Sequence, residues 1–259
     1  MSKPHARAVR RTTLALACTA AIASLAACGP DNGSDASSGD ASPSAGSATP
    51  SASASTGNKA KPNGIEKRTA KEIYVSATRA NADAGSFREQ VTSSVTKSDL
   101  KVSATECVGT VDKLQHGSFE IIRKGSDVWV KADAQFAAWA KTNASAIPSG
   151  KWLHGTSANP MMKAFGSYCH AEQFTNPDKT PSDLTTGKGT TVNGVPVVPV
   201  GRTVGNKSMT YYVATTGAPN LIKRDVEGRD ELPDITYSDF GKPVGASAPT
   251  GEVTEAPSR

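Results

Sequence analysis

Four cysteines and four histidines are the residues of this 259-residue chain best equipped for chemistry, and their spacing limits what that chemistry can be. A thiol serves as nucleophile, metal ligand, disulfide partner or acylation site. Cys107 and Cys169 stand far apart, with no Cys-x-x-Cys pair and no neighbouring histidine cluster, so neither a redox motif nor a zinc site is expected. His116, His154 and His170 are scattered too, and lack the His-x-x-x-His spacing that puts two imidazoles on one helical face. No serine sits in Gly-x-Ser-x-Gly. Gly187-Lys188-Gly189-Thr190 has the letters of a phosphate loop without its spacing, and a strand pattern follows it instead of a helix. Glu106, Asp127, Asp225 and Asp239 are acids that nothing in the sequence brings together. The expectation is a non-enzyme with no catalytic residue, no metal and no cofactor.

Cys28 has different surroundings. It follows Leu25-Ala26-Ala27, behind a basic segment (Lys3, Arg7, Arg10, Arg11) and a short apolar run from Thr12 to Leu25. That order is a secretory signal, and the run falls short of the roughly 20 apolar residues that span a bilayer. The small-residue site ending in Cys resembles a bacterial lipobox, where the chain is cut and the new N-terminal Cys acylated, for instance with palmitate. Residues 1–27 are therefore read as a lipoprotein signal peptide and Cys28 as the lipid anchor. Each buried methylene of an attached chain contributes about 0.8 kcal/mol to anchoring. Arg10-Arg11 loosely fits a twin-arginine signal, so the export route stays open between the general and twin-arginine systems. Either route leads to an extracytoplasmic protein anchored to the outer face of the cell membrane. In that oxidising setting a disulfide between Cys107 and Cys169 is the simplest use of the remaining thiols.

Charge removes one further class. The four positive residues before Cys28 account for all but one unit of the formal +5 charge. A nearly neutral mature chain has no general field to hold phosphate, so no nucleic-acid partner is expected.

The elements that would position any site follow from pattern. Residues 28–63 are Ser, Ala, Gly and Pro with little to bury, and are expected to be a disordered tether with a span of about 30 Å. Residues 246–259 read the same way, as a disordered tail. Residues 64–245 form one α+β domain. Thr69-x-x-Glu72 predicts a capping box, Ala70, Ile73, Ala77, Ala80 and Ala84 recur at helical spacing, and Gly85 stops the helix. Strand patterns follow over 86–96 and 101–111, with a turn at Lys97-Ser98-Asp99. A hairpin is predicted from Ser118–Arg123 and Val128–Ala132 around Lys124-Gly125-Ser126-Asp127. Its Phe119, Ile121, Val128 and Val130 would share one face, with Ile122 and Trp129 on the other. Asp133 caps a second helix carrying Phe136, Trp139 and Ala140, and Asn159-Pro160 opens a third with Met161, Phe165 and Tyr168. Five more strands are read between Gly189 and Phe240, with a turn at Asn193-Gly194. Helix, four strands, two helices and five strands joined by short turns predict a curved antiparallel sheet, a half-barrel, with helices packed on its concave face.

Within that frame the chain resembles actinobacterial lipoproteins of the LppX/LprG kind. The likeness rests on the Gly-Ser-Phe strand at 85–87, Cys107-x-Gly109-Thr110-Val111, Glu120-Ile121-Ile122-Arg123 and Val128-Trp129-Val130-Lys131-Ala132-Asp133. It continues through Gly150-Lys151-Trp152, the Cys169 helix, Val192-Asn193-Gly194-Val195-Pro196, Tyr212-Val213-Ala214-Thr215-Thr216-Gly217 and Tyr237-Ser238-Asp239-Phe240-Gly241. The resemblance implies a LolA-like fold with an apolar cavity between helices and sheet, and a carrier of lipids or lipoprotein acyl chains across the envelope. It brings no catalytic residue. Phe87, Trp129, Phe136, Trp139, Trp152, Met161, Phe165 and Tyr211 are the candidates to line such a cavity, joined by Met162 and Phe240, with the mouth at Phe136, Trp139, Met161 and Phe165. The same residues would make the core of a domain in which aromatics are only 5% of the chain. That scarcity keeps a second reading open: a scaffold lipoprotein that binds an envelope protein or polymer. The chain is expected to act as a monomer.

Overall fold

The computed structural model describes residues 60–143, 146–169, 181–228 and 232–257. The signal, Cys28 and most of the tether lie outside the described residues, as does His170. Helix α1 spans Ala70–Asp83, α2 Ala134–Asn143 and α3 Pro160–Gly166. The first strands are β1 (Ser86–Thr92), β2 (Lys97–Ser103), β3 (Glu106–Asp112), β4 (Ser118–Lys124), β5 (Asp127–Ala132) and β6 (Trp152–Thr156). The later ones are β7 (Thr185–Thr186), β8 (Thr190–Val192), β9 (Val195–Val204), β10 (Lys207–Ala214), β11 (Leu221–Glu227), β12 (Asp234–Ser238) and β13 (Val253–Glu255). All thirteen belong to one open sheet ordered β13-β6-β5-β4-β3-β2-β1-β12-β11-β10-β9-β7, with β8 also paired to β9. Every pairing is antiparallel except β13 on β6. The α+β curved sheet expected from the sequence is the fold observed.

Local chemistry explains the helix ends. The Thr69 hydroxyl accepts from the Glu72 amide at 3.4 Å and the Glu72 carboxylate accepts from the Thr69 amide at 3.0 Å, completing the capping box. Gly85, at φ 73°, makes the left-handed turn that α1 needs to stop and hand over to β1. The Asp133 carboxylate accepts from the Phe136 amide at 2.7 Å and from the Ser118 amide and hydroxyl at 2.8 Å each, tying the start of α2 to β4. Asn159 caps α3 by accepting from the Met161 amide at 3.0 Å, with Pro160 in the first turn.

The helices share one face of the sheet. There Phe119, Ile121, Val128 and Val130 are almost wholly buried, as the alternation in the β4–β5 hairpin predicts, and Ile122 and Trp129 pair across the ladder on the opposite face. Helix α1 packs on β9, β10, β11 and β1, while α2 and α3 pack on β4, β5 and β6. The single main core runs through both halves.

Three expectations are corrected. Lys97-Ser98-Asp99 is not a turn but the start of β2, paired with Val91 and Thr92 of β1. Its polar side chains belong to a ladder: Arg88 forms an ion pair with Asp99, and Gln90 donates to Asp99 at 3.1 Å. The true turn is at Ser93–Thr96, where the Ser93 hydroxyl accepts from the Thr96 amide at 3.0 Å, and a further hairpin at Ala104-Thr105 makes the first run five strands instead of four. The chain is also already tied down before residue 64. Pro62 bridges Thr216, and the Asn63 side-chain Nδ2 donates to the carbonyls of Ala214 at 3.0 Å and Gly217 at 3.1 Å. The third correction is the tail. From Val244 to Pro257 the chain packs on the sheet: Val244 and Ala246 are buried against Ile122 and Trp152, and β13 lies along the edge of β6. Backbone pairing and a few small apolar side chains suffice here, so a Ser/Pro-rich composition does not forecast it.

Candidate functional site

A partly enclosed cavity of about 550 Å³ opens between α2, α3 and the segment at Ile147, within the usual range for small-ligand sites. Its floor is aromatic. Phe136 of α2 and Phe165 of α3 are buried over Phe119 of β4, with ring centroids 5.0 and 5.1 Å from it. Tyr168 is the third ring on Phe119, edge-on at 5.3 Å. Trp139 stands half-buried at one side, stacked on His116 at 4.8 Å. Met161 and Ala164 form the opposite wall. Such walls favour an apolar occupant, because each Å² of apolar surface removed from water contributes about 25 cal/mol.

One lining residue carries a formal charge. Lys113, in the loop after β3, donates to the Thr96 hydroxyl at 2.9 Å and places its ammonium 5.6 Å from the centre of the Tyr168 ring. The cavity therefore pairs largely apolar walls with one cationic lining residue. The α3 wall is held by a covalent tie: Cys169, just past α3, is disulfide-bonded to Cys107 of β3, 62 positions away in sequence, and both are buried.

Phe136, Trp139, Met161 and Phe165 line this cavity. The other six candidates do not. Phe87 is buried in the core between Tyr237 and Phe240, at 5.7 and 6.3 Å. Tyr211 packs edge-on against Tyr74 of α1 at 4.9 Å. Trp129 and Trp152 project from the opposite face of the sheet, where the 244–246 segment covers them. Met162 is fully buried beneath α3, and Phe240 packs on Phe87. Strand residues fill the sheet's own surface, whereas the exposed side of two short, separated helices leaves room. Sequence reasoning missed Lys113, Ile147 and Pro257 as lining residues. Tyr168 was legible, three positions beyond Phe165 on the same helical side; Lys113 carried no signal.

Under α1 the same face of the sheet is polar but filled. Glu89 is 7% exposed, and burial pushes its carboxyl up to about 7 although Arg224 acts in the opposite sense. Burial beside Tyr211 likewise raises Tyr74 to about 12.

Among the described residues, no group of three or more His, Cys, Asp or Glu converges to hold a metal ion. Two of the acids named as conceivable pairs are engaged by lysines: Asp225 binds Lys223 at 2.6 Å, and Asp239 binds Lys242 at 2.5 Å. No helix among the described residues is long and apolar enough to cross a membrane.

No known family profile matches the chain, and no curated protein matches it. Solved structures do. LprF of Mycobacterium bovis is 16% identical, with 70% of this chain covering 97% of that one at a TM-score of 0.50. The lipoprotein LppX of Mycobacterium tuberculosis is 13% identical, with 67% of this chain covering 98% of that one at a TM-score of 0.46. Identity this low speaks for fold and not for activity. The chain has the fold of LprF.

Proposed function

We propose that the protein is an extracytoplasmic lipoprotein, anchored to the outer face of the cell membrane through acylated Cys28, that binds an apolar or amphipathic ligand for transport within the envelope. A lipid acyl chain is the ligand the cavity suits best. It would lie against Phe136, Met161 and Phe165, with its polar end at Lys113. The observation that carries this reading is the open, aromatic-floored cavity between α2 and α3. Transfer would be passive, driven by burial of apolar area, and would require no catalytic group. The fold shared with LprF supports the reading.

The test is native extraction. Protein purified from its own membrane in a mild detergent is examined by native mass spectrometry and its organic extract by lipid analysis. A bound lipid released on denaturation, and absent from a variant whose cavity is blocked at Ala164, supports the carrier. Protein that comes out empty and takes up no fluorescent fatty acid would overturn it, and would favour the scaffold reading.

A further inference from the structure

The segment 252–257 runs along the edge of β6, reaches the cavity at Pro257 and touches both faces of the sheet. On the side away from the helices, the Glu255 carboxylate holds the His154 imidazole at Nδ1, with contacts of 2.9 and 3.0 Å. The other ring nitrogen, Nε2, meets Asp127 of β5 at 3.1 Å. The ring itself lies on Trp129, 4.9 Å between centroids. On the helix side, Ala256 packs beside Met162 across Gly155, which has no side chain to keep them apart. Pro257 then forms part of the cavity lining, and its carbonyl accepts from the Asn159 side chain at 3.0 Å. Asn159 is the residue that caps α3, so the segment and the cavity wall share one anchor.

The attachment is light apart from these contacts. Strand β13 contributes three paired positions, all exposed, and its remaining fastenings are the Trp152 amide donating to the Glu252 carbonyl at 3.1 Å, the Ala256 amide donating to the His154 carbonyl at 2.6 Å, and Lys151 on Glu252 at 2.6 Å. Few buried apolar contacts and solvent-exposed backbone pairing mark a region that opens well below the free energy of global unfolding. An imidazole clasped between two carboxylates holds best when it is charged, because both ring nitrogens then donate.

We propose that residues 252–257 form a proton-sensitive strap that reaches the cavity at Pro257, fastened through His154 between Asp127 and Glu255, whose release admits the ligand. The proposal rests on the cavity being a ligand site and adds how entry to it is controlled. The charged groups facing His154 are Asp127 on β5 and Glu255 on β13; its remaining ring neighbour, Trp129, is neutral. Burial alone would lower the His154 pKa, and the two carboxylates outweigh it and hold it above the ordinary value. Protonated His154 keeps the strap closed, and deprotonation loosens it as pH rises.

The test measures stopped-flow uptake of a pyrene-labelled fatty acid between about pH 5 and 9, the range in which histidine titrates. Three proteins are compared: the full chain, Glu255→Gln, and a chain ending at Gly251. Uptake by the full chain should accelerate several-fold as pH rises. Glu255→Gln should be faster at low pH, and the shortened chain fast and nearly independent of pH. A shortened chain with the rate and pH profile of the full chain would overturn the strap. If no form takes up the probe, the ligand reading itself fails. The amide-exchange protection factor of Ala256 then decides the strap alone: a drop with rising pH that Glu255→Gln abolishes upholds it, and an unchanged factor refutes it.

Discussion

Replacing Cys107 and Cys169 together by alanine should destabilise the domain by about 4 kcal/mol, the loop-closure contribution expected for a cross-link between residues 62 positions apart. The partners are well placed for a large effect. Cys107 is 0% and Cys169 3% exposed, so the bridge is an internal one, and it joins the end of a short helix to the middle of the sheet. Helix α3 has only seven residues, below the length at which a helix holds itself together in water. Urea unfolding of the oxidised protein and the double variant, followed by tryptophan fluorescence, reads the effect directly. With a slope near 2.5 kcal/mol per molar, the midpoint should fall by about 1.5 M. Binding of a fluorescent fatty acid, measured far below the transition, should weaken in the same variant because Met161, Ala164 and Phe165 lose their fixed position. A midpoint shift under about 0.4 M, equivalent to about 1 kcal/mol, would refute the claim that the bridge stabilises the domain. Unchanged fatty-acid affinity would refute the claim that it sets the cavity wall.

Three other perturbations have definite signs. Ala164→Trp places an indole in the cavity and should weaken fatty-acid binding at least about tenfold, roughly 1.4 kcal/mol, with little change in melting temperature; equal affinity would show that ligand binds elsewhere. Glu89 has a folded pKa of about 7 against an ordinary 4.5. The unfolded chain therefore releases this proton first, and stability is lost as pH rises from about 4.5 through about 7, by at most about 3 kcal/mol. Glu89→Gln should flatten that slope in denaturation curves taken across the window, and an unaltered slope would contradict the assignment. Gly117 has φ 86°, and a Cβ there would meet the Phe136 amide and the Asp133 carboxylate that starts α2. Gly117→Ala should cost about 1–3 kcal/mol, measured by thermal unfolding, with loss of less than half that amount counting against the close approach.

The legible parts of the fold are those encoded by local pairs. The Thr69–Glu72 box, the Gly125 hairpin and the Asn159-Pro160 start each reside within four residues of sequence, and each is present. Lys97-Ser98-Asp99 misled because its polarity answers to cross-strand neighbours, Arg88 and Gln90, which sequence order does not place opposite it. The cavity shows the same division. Phe136, Trp139, Met161 and Phe165 could be grouped by helical period, whereas Trp129 and Trp152 lie across the sheet because alternation alone does not say which face the helices cover. Pro257 was beyond reach, since it depends on a strand formed 98 positions away from its Asn159 partner.

One border of the sheet is β7, two residues long, and the other is β13, three residues long, both fully exposed. A long bare border would offer a row of unpaired amides and carbonyls on which a second chain could extend the sheet. Here β6, the longer strand inside one border, is covered by β13 over Trp152–His154, and β9, inside the other, is covered in part by β7 at Val200–Gly201 and by β8 at Val195–Val197. The molecule thus ends its own sheet with remnants too short to template growth. Such borders let copies of the chain meet at high local concentration without polymerising.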